Sequence, residues 1–440
     1  MRRIQRIIFG IARFGSSLLL SVFSLATIYV YTFIFNLDPV LNGLAMSIGK
    51  ILMAISGPII GFISDKRPLL KKLGLRKSYI LIGSIILSVS FSLLYAPFYF
   101  IDLENQILLF VYELILVSLF DIFYIGTITA YQAMLPEISE PEERAEISIY
   151  ENFFNGIGGG VGTIFSFLLP LIASDLNLLI SVINAFSVLS FLSFFLLIIT
   201  IREGAKIKTT EFKKEDLKIL FKDVNFIFWL IVDGILGIGF IYFTALAVPI
   251  IEMIFSEMNI TLENILTAES INKLIPLILL FIFSGILGFI LTGILSKKMK
   301  FKKAFIVLLV PSVILAPASL LMNIALIPSA ITFLIGSLFG FIVYNIARYV
   351  ALANVIELTE RRFKKKVAGF YTGTEGVILN IFQAGGYFIV GMLLKYVEAY
   401  YLIIGVLVSI HTLISIWIIK KKVVLDIEEL NQGLGGDERR

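Results

Sequence analysis

Residues 107–134 read ILLFVYELILVSLFDIFYIGTITAYQAM, an almost unbroken apolar run that contains two carboxylates, Glu113 and Asp121. An α-helix rises about 1.5 Å per residue, so about 20 apolar residues cross the roughly 30 Å hydrocarbon core of a bilayer. A strand of a membrane barrel would instead alternate in polarity over about ten residues. The run therefore predicts a transmembrane helix that carries acidic groups into the membrane.

The composition extends this interpretation to the whole chain. Of its 440 residues, 58% are hydrophobic, 16% are charged and none is cysteine, and the mean hydropathy is +0.96. A soluble domain is about 45–50% apolar and about 25% charged. These values exclude a soluble enzyme, a disordered chain and a disulfide-stapled secreted domain, and they indicate an all-α polytopic membrane protein. Twelve apolar runs predict spans at 7–35, 39–64, 78–101, 107–134, 149–173, 178–201, 224–254, 271–296, 304–322, 328–354, 367–394 and 398–420.

The basic residues predict the orientation of these spans. If the N-terminus is cytoplasmic, every lysine and arginine falls in a cytoplasmic segment except Lys50, Lys273, Arg348 and Lys395. Cytoplasmic loops of membrane proteins are enriched in lysine and arginine, because these side chains are attracted to anionic lipid headgroups. We therefore expect both termini in the cytoplasm and a multi-pass protein of the plasma membrane. A nucleic-acid partner is excluded because no basic face lies outside these loops.

The chain also repeats weakly. Leu135–Glu140 follows span 4 and Val355–Glu360 follows span 10, and the same offset of 220 carries Gly156 onto Gly376. Some secondary transporters are built from two parallel six-helix repeats, and their substrate site lies between the repeats near mid-membrane. The alternative explanation of the weak repeat is that the two halves share only similar loop chemistry. The predicted parts are a first bundle (1–201), a central cytoplasmic loop (202–223), a second bundle (224–422) and a cytoplasmic tail (423–440).

A glycine-rich run lies in span 5, from Gly156 to Gly162. It is not a nucleotide-binding loop, because no strand precedes it and its surroundings are apolar. We interpret it as a site of close helix packing or as a hinge.

Two loops carry a resemblance to known transporters. Gly61-Phe-Ile-Ser-Asp65-Lys66, followed by Leu75-Arg76-Lys77, resembles the signature of the major facilitator superfamily between spans 2 and 3. Ala130–Glu137, followed by Glu142-Glu143-Arg144, resembles the signature of the glycoside–pentoside–hexuronide:cation symporters, the melibiose permease-like family. The resemblance implies the major facilitator fold and cation-coupled transport of a sugar or glycoside.

Several positions depart from that family's pattern. Met53 and Gly57 stand where the family has two acidic residues in span 2. Gln132, Asn152 and Asn380 stand where it has a tryptophan, an arginine and a lysine. The resemblance therefore supports the fold, whereas sodium coupling and galactoside specificity do not carry over. These three polar side chains could still hydrogen-bond a solute, or they could join helices.

Charges inside the spans are the main candidates for function. A charge at mid-membrane costs about 2.5–3.5 kcal/mol on insertion scales, so such residues are rare and usually functional. Lys50 and Asp121 differ by only about 5 Å in predicted depth, and we expect them to pair. A static ion pair that fixes helix packing is the alternative. The candidate set, which we expect to bind solute or coupling ion, is Lys50, Glu113, Asp121, Asp233, Arg348 and Glu375, with the last three in one layer.

The predicted cytoplasmic loops suggest a gate. The resemblance implies that Asp65 caps or pairs with the inner end of span 11. Glu137, Arg144, Glu357 and Arg361 are placed to form ion pairs between the two halves, although solvated surface charges would look the same.

These observations predict a monomeric secondary transporter that works by alternating access. We expect it to move a small polar organic solute, coupled to a proton or another cation, without a cofactor or metal. A facilitator or exporter of an amphipathic or anionic solute with the same fold is the alternative, and a sensor without transport is a remoter one. A membrane enzyme is disfavoured because the chain has one histidine and no cysteine for a metal centre.

Overall fold

The computed structural model describes residues 2–203, 219–364 and 367–426. Within these ranges, twelve helices are long and apolar enough to cross a membrane, as the sequence predicted. They are α1 (Arg3–Tyr29, continued by a π-helical turn, Val30–Ile34), α2 (Pro39–Ser64), α3 (Leu75–Leu94), α4 (Gln106–Ile138), α5 (Pro141–Ile172), α6 (Leu176–Thr200), α7 (Val224–Glu257), α8 (Ala268–Lys298), α9 (Phe301–Leu315, followed by a 3₁₀ segment, Ala316–Leu321), α10 (Leu326–Phe363), α11 (Ala368–Tyr396) and α12 (Tyr400–Lys422).

Backbone caps, more than the apolar runs, set the helix ends. α5 begins at Pro141 and not at the predicted residue 149, because Glu140 and Glu143 form a reciprocal capping box there. α3 ends at Leu94, before the predicted end at 101, because the chain turns into Pro97. Polar residues beyond the hydrocarbon layer therefore continue some helices, and a proline shortens another.

The chain divides into two compact units. Unit 1 comprises Met1–Thr210, Thr244–Pro249 and Tyr387–Tyr396, and unit 2 comprises Glu211–Phe243, Ile250–Gly386 and Val397–Arg440. In unit 1, α1 packs against α5 and α6, and α4 packs against α2 and α3. In unit 2, α10 packs against α8 and α9, and α9 packs against α12.

The weak repeat has a structural counterpart. α4 begins at Gln106 and α10 begins at Leu326, so the offset of 220 found in the sequence also separates the two helix starts. Most of the predicted central loop and of the predicted tail lies outside the described residues. The orientation of the termini across the membrane stays a prediction.

The glycine-rich run of α5 serves close packing, one of the two roles predicted for it. A Cβ atom at Gly158 would overlap the Phe14 carbonyl oxygen, and one at Gly162 would lie 2.7 Å from the Leu18 carbonyl oxygen. Both oxygens belong to the backbone of α1, which cannot move aside as a side chain can. Nothing lies within 4 Å of a Cβ at Gly160. One face of the run is therefore a helix contact, and another is open.

This asymmetry predicts opposite effects for two matched substitutions. Gly158→Ala should push α1 and α5 apart and lower the free energy of unfolding by about 1–3 kcal/mol. Gly160→Ala meets open space and should stabilise the helix by up to about 1 kcal/mol. Melting temperatures of the two purified variants in detergent check this. Equal melting temperatures for both would contradict the assigned α1–α5 contact.

Candidate functional site

Lys50 and Asp121 meet inside unit 1. Lys50 Nζ lies 3.0 Å from Asp121 Oδ1, so the predicted pair is formed and joins α2 to α4. Lys50 is 4% exposed and Asp121 is fully buried. The ammonium group also lies 5.5 Å from the centre of the Phe23 ring. The lysine is thus neutralised by one carboxylate oxygen and faces an aromatic ring on α1.

The close approach of α2 and α4 depends on the glycine next to Lys50. A Cβ atom at Gly49 would lie 2.5 Å from a methyl carbon of Val117 and 2.9 Å from Asp121 Oδ2. That oxygen has no hydrogen-bond partner among the described residues. One oxygen of Asp121 therefore holds the lysine, while the other is buried without a donor.

A second set of buried charges lies in unit 2. Arg348 on α10 places its Nε 2.5 Å from Glu375 Oε1 on α11 and 3.1 Å from Asp233 Oδ1 on α7. The Tyr344 hydroxyl, one turn before Arg348, donates to Asp233 Oδ1 at 2.8 Å. The layer predicted from helix positions is therefore a connected cluster of one cation, two carboxylates and a phenol.

Glu113 stands apart from both sets. It is fully buried on α4, and neither carboxyl oxygen has a hydrogen-bond partner among the described residues. Its electrostatic neighbours include the hydroxyls of Tyr31 and Tyr95. A lone ionised carboxylate in such surroundings would be very costly, so this group is stable only as the neutral acid.

Asp65 takes part in a network that the sequence did not predict. Its Oδ1 lies 2.5 Å from an Nη atom of Arg76, and the same nitrogen lies 3.0 Å from Glu137 Oε1. Arg76 also donates to the Ser64 hydroxyl at 2.9 Å. Asp65, Arg76 and Glu137 border a cavity of about 280 Å³ that Thr129 also lines. We predicted span 11 as the partner of Asp65 and missed Arg76, because a loop sequence does not show how a basic residue folds back.

The other predicted gating residues make local contacts. Arg144 donates to the carbonyl oxygens of Pro136 and Ser139 at the end of α4. Arg361 pairs with Glu357 one turn earlier on α10, at 2.6 Å, and both are well exposed. Each of these contacts lies within one unit, and the ion pairs between the halves stay a prediction. Helix geometry favours the local pair because residues four apart already lie side by side.

The predicted polar contact residues lie in different surroundings. Gln132 on α4 and Asn152 on α5 are exposed, whereas Asn380 on α11 is partly buried. Asn380 donates to the Gly376 carbonyl oxygen of its own helix at 2.8 Å. Its amide is therefore partly used by the backbone, while the amides of the other two are accessible.

A polar contact between α1 and α5 was also not predicted from the sequence. Arg13 was counted with the cytoplasmic loop charges, but it lies within α1 and donates to Asn155 Oδ1 at 3.2 Å. The hydroxyl of Ser17, one turn later, donates to the same oxygen. The spacing of four residues between Arg13 and Ser17 was the signal, because it places both side chains on one helix face.

Unit 1 also contains the last turns of α11, which lie against the start of α2. A Cβ atom at Gly391 would overlap the Pro39 carbonyl oxygen, so the two backbones are in direct contact. Lys395 Nζ lies 2.5 Å from Asp38 Oδ2. The sequence set Lys395 apart from the cytoplasmic basic residues, but it did not predict this carboxylate partner.

Comparisons with known proteins agree with this architecture. The sequence model of the family described as MFS/sugar transport protein matches residues 8–405. The chain belongs to this family. An uncharacterized symporter of Synechocystis sp. (strain ATCC 27184 / PCC 6803 / Kazusa) is 26% identical over 167 residues, which cover 37% of this chain and 30% of that relative.

Solved structures show the same fold at low identity. The nucleoside transporter NupG has a TM-score of 0.64 at 12% identity, with 95% of this chain and 98% of that chain covered. The D-xylose-proton symporter has a TM-score of 0.63 at 13% identity, with 96% and 97% covered. These structures support the fold, and the family match makes the chain a multi-pass member of the major facilitator superfamily, in agreement with the resemblance seen in its loops.

The pair between Asp38 and Lys395 predicts a pH effect. Burial raises the pKa of Asp38, but hydrogen bonds from Lys395 and from the Val40 and Leu41 backbone outweigh it, so the pKa lies below its usual 3.8. A carboxylate with a lowered pKa stabilises the fold above its unfolded pKa and loses that effect as pH falls.

Asp38→Asn is a matched variant for this effect, because asparagine caps a helix as well as aspartate does. The wild type should melt at a higher temperature than Asp38→Asn at neutral pH, and the gap should close as pH falls below 3.8. Melting curves in detergent across this pH range measure it. A gap that is the same at every pH would show that the charge of Asp38 does not stabilise the protein.

Proposed function

We propose that this transporter moves a small polar organic solute across the plasma membrane by alternating access, coupled to a proton or another cation. The observation that carries the proposal is the ion pair between Lys50 and Asp121, which is buried between two helices at 3.0 Å. Replacing a buried ion pair by apolar residues of similar volume is often neutral or stabilising. Stability alone therefore does not explain why the chain keeps this pair inside the membrane.

Asp121 is the proposed coupling carboxylate. One of its oxygens binds Lys50, and the other has no donor among the described residues. A proton or cation that reaches the second oxygen would neutralise the carboxylate and release the lysine. Loss of the ion would restore the pair. The pair thus alternates between a state without net charge and a state with one net positive charge, which is the property that coupling to a cation requires.

The solute class rests on the family and on the accessible polar groups. The family is described as sugar transport, and the names of two structural neighbours contain a nucleoside and D-xylose, which are both hydroxylated solutes. The exposed amides of Gln132 and Asn152 can both donate to and accept from hydroxyl groups. A small hydroxylated solute matches these features better than a fatty one.

Two contacts at the ends of α2 are the proposed gates. Asp38 pairs with Lys395 beside one end, and Asp65 pairs with Arg76 beside the other. Lys50 lies between them on the same helix. We propose that these end contacts break and re-form in turn as the pair in the middle changes its charge state.

The proposal predicts how Asp121 variants divide transport into two parts. Asp121→Asn should abolish uphill uptake into proteoliposomes while leaving exchange of labelled for unlabelled solute, because the asparagine cannot bind and release an ion. Asp121→Glu keeps a carboxylate and should retain part of the uphill uptake. The solute for this assay is the one that most raises the melting temperature of the purified protein in a solute screen.

Full concentrative uptake by Asp121→Asn would refute the coupling role. Downhill export from loaded vesicles by the wild type, without any uphill uptake, would support the alternative of a facilitator or exporter.

A further inference from the structure

The cluster in unit 2 has an unbalanced charge. It contains one guanidinium, that of Arg348, and two carboxyl groups, those of Asp233 and Glu375. Asp233 is 1% exposed and Glu375 is 3% exposed, so water does not screen them. With both carboxyl groups ionised, the cluster would carry a net charge of minus one inside an apolar bundle.

Such a charge is unfavourable for two reasons. An uncompensated ion away from water is costly, and two neighbouring carboxylates repel each other, so they tend not to ionise together. The carboxyl groups of Asp233 and Glu375 both contact the same nitrogen, Arg348 Nε, and are therefore close neighbours. Ionised carboxylates are acceptors only, and a hydrogen bond between two of them therefore needs a proton.

The hydrogen bonds of Asp233 leave a place for that proton. Oδ1 accepts from the Tyr344 hydroxyl at 2.8 Å and faces Arg348 Nε at 3.1 Å. Oδ2 is buried and has no donor among the described residues. The charged and titratable groups that face Asp233 are Arg348 and Tyr344 from α10 and Glu375 from α11. One proton on the two carboxyl groups, for which Oδ2 is an unused position, would make the cluster neutral.

We propose that Asp233, Arg348 and Glu375 form a proton-binding site that holds one proton between the two carboxyl groups. Loading forms one O–H bond on a carboxylate, and release returns the proton to water. The assignment of this proton to coupling rests on the proposed function, whereas its binding does not. The site makes the proton, and not sodium, the cation that the protein handles here.

The geometry disfavours a metal cation at the same place. Arg348 already lies beside both carboxyl groups, and its positive charge would repel a second cation. Hard metal cations in proteins take about six oxygen ligands. The part of the chain that the structure describes contains no group of three or more His, Cys, Asp or Glu that could hold a metal ion.

Infrared spectroscopy of the purified protein tests for the proton directly. A protonated carboxyl group gives a C=O stretching band that a carboxylate lacks. Besides the band of the neutral Glu113, wild type at neutral pH should show one band from the cluster, which disappears in Asp233→Asn and also in Glu375→Gln, because either variant leaves one carboxylate balanced by Arg348. Arg348→Gln removes the balancing cation and should increase the band instead. If the band persists in either single variant, the proposal is overturned.

Two controls keep the result specific. Glu113→Gln removes a buried carboxyl group from unit 1 and should leave the band of the cluster unchanged. Replacing choline chloride with sodium chloride at constant ionic strength should also leave it unchanged. A sodium-dependent loss of the band would show a metal-cation site and would overturn the proton assignment.

The wild type offers a second measurement that needs no variant. A native state that holds an extra proton loses stability as pH rises, because deprotonation favours the unfolded chain. The melting temperature should therefore fall as pH is raised above neutral, and less steeply in Glu375→Gln if that variant folds. A melting temperature independent of pH in the wild type would contradict the proposal. Neither measurement involves transport, so their outcome is separate from that of the Asp121 variants.

Discussion

Lys50 and Asp121 meet at 3.0 Å within a bundle of apolar helices, and much of the remaining architecture is consistent with the need to neutralise such ions. An ion in the middle of a bilayer is unfavourable by about 2.5–3.5 kcal/mol even on the mildest scales. The chain meets this cost in three ways. Unit 1 uses a one-to-one pair, unit 2 uses one arginine against two carboxyl groups, and Glu113 lies alone where only its neutral form is stable.

Three ion pairs lie along α2. Its start adjoins the pair of Asp38 and Lys395, its middle carries Lys50, and its end adjoins the pair of Asp65 and Arg76. Glycines on this helix allow close contacts, as at Gly49 against α4. A helix with an ion pair in the middle and one at each end can connect a change of charge within the membrane to the ion pairs at the two helix ends.

The sequence predicted the features that depend on position along a helix. Apolar run lengths gave the twelve spans, and depth along α2 and α4 placed Lys50 beside Asp121. Features that depend on helix rotation or on loop paths were missed. Arg76 returns to Asp65, and Arg13 points at Asn155, because of how the helices lie side by side. A one-dimensional pattern gives depth well and lateral neighbours poorly, since neighbours come from distant parts of the chain.

A double-mutant cycle on Lys50 and Asp121 measures directly whether the two buried ions stabilise each other. Lys50→Met and Asp121→Asn each leave one buried charge without its partner, which typically costs about 3–5 kcal/mol. The double variant leaves no unpaired charge and should melt at a higher temperature in detergent than either single variant. If the losses in melting temperature simply add, the two ions do not stabilise each other, and the account of matched buried charges is wrong.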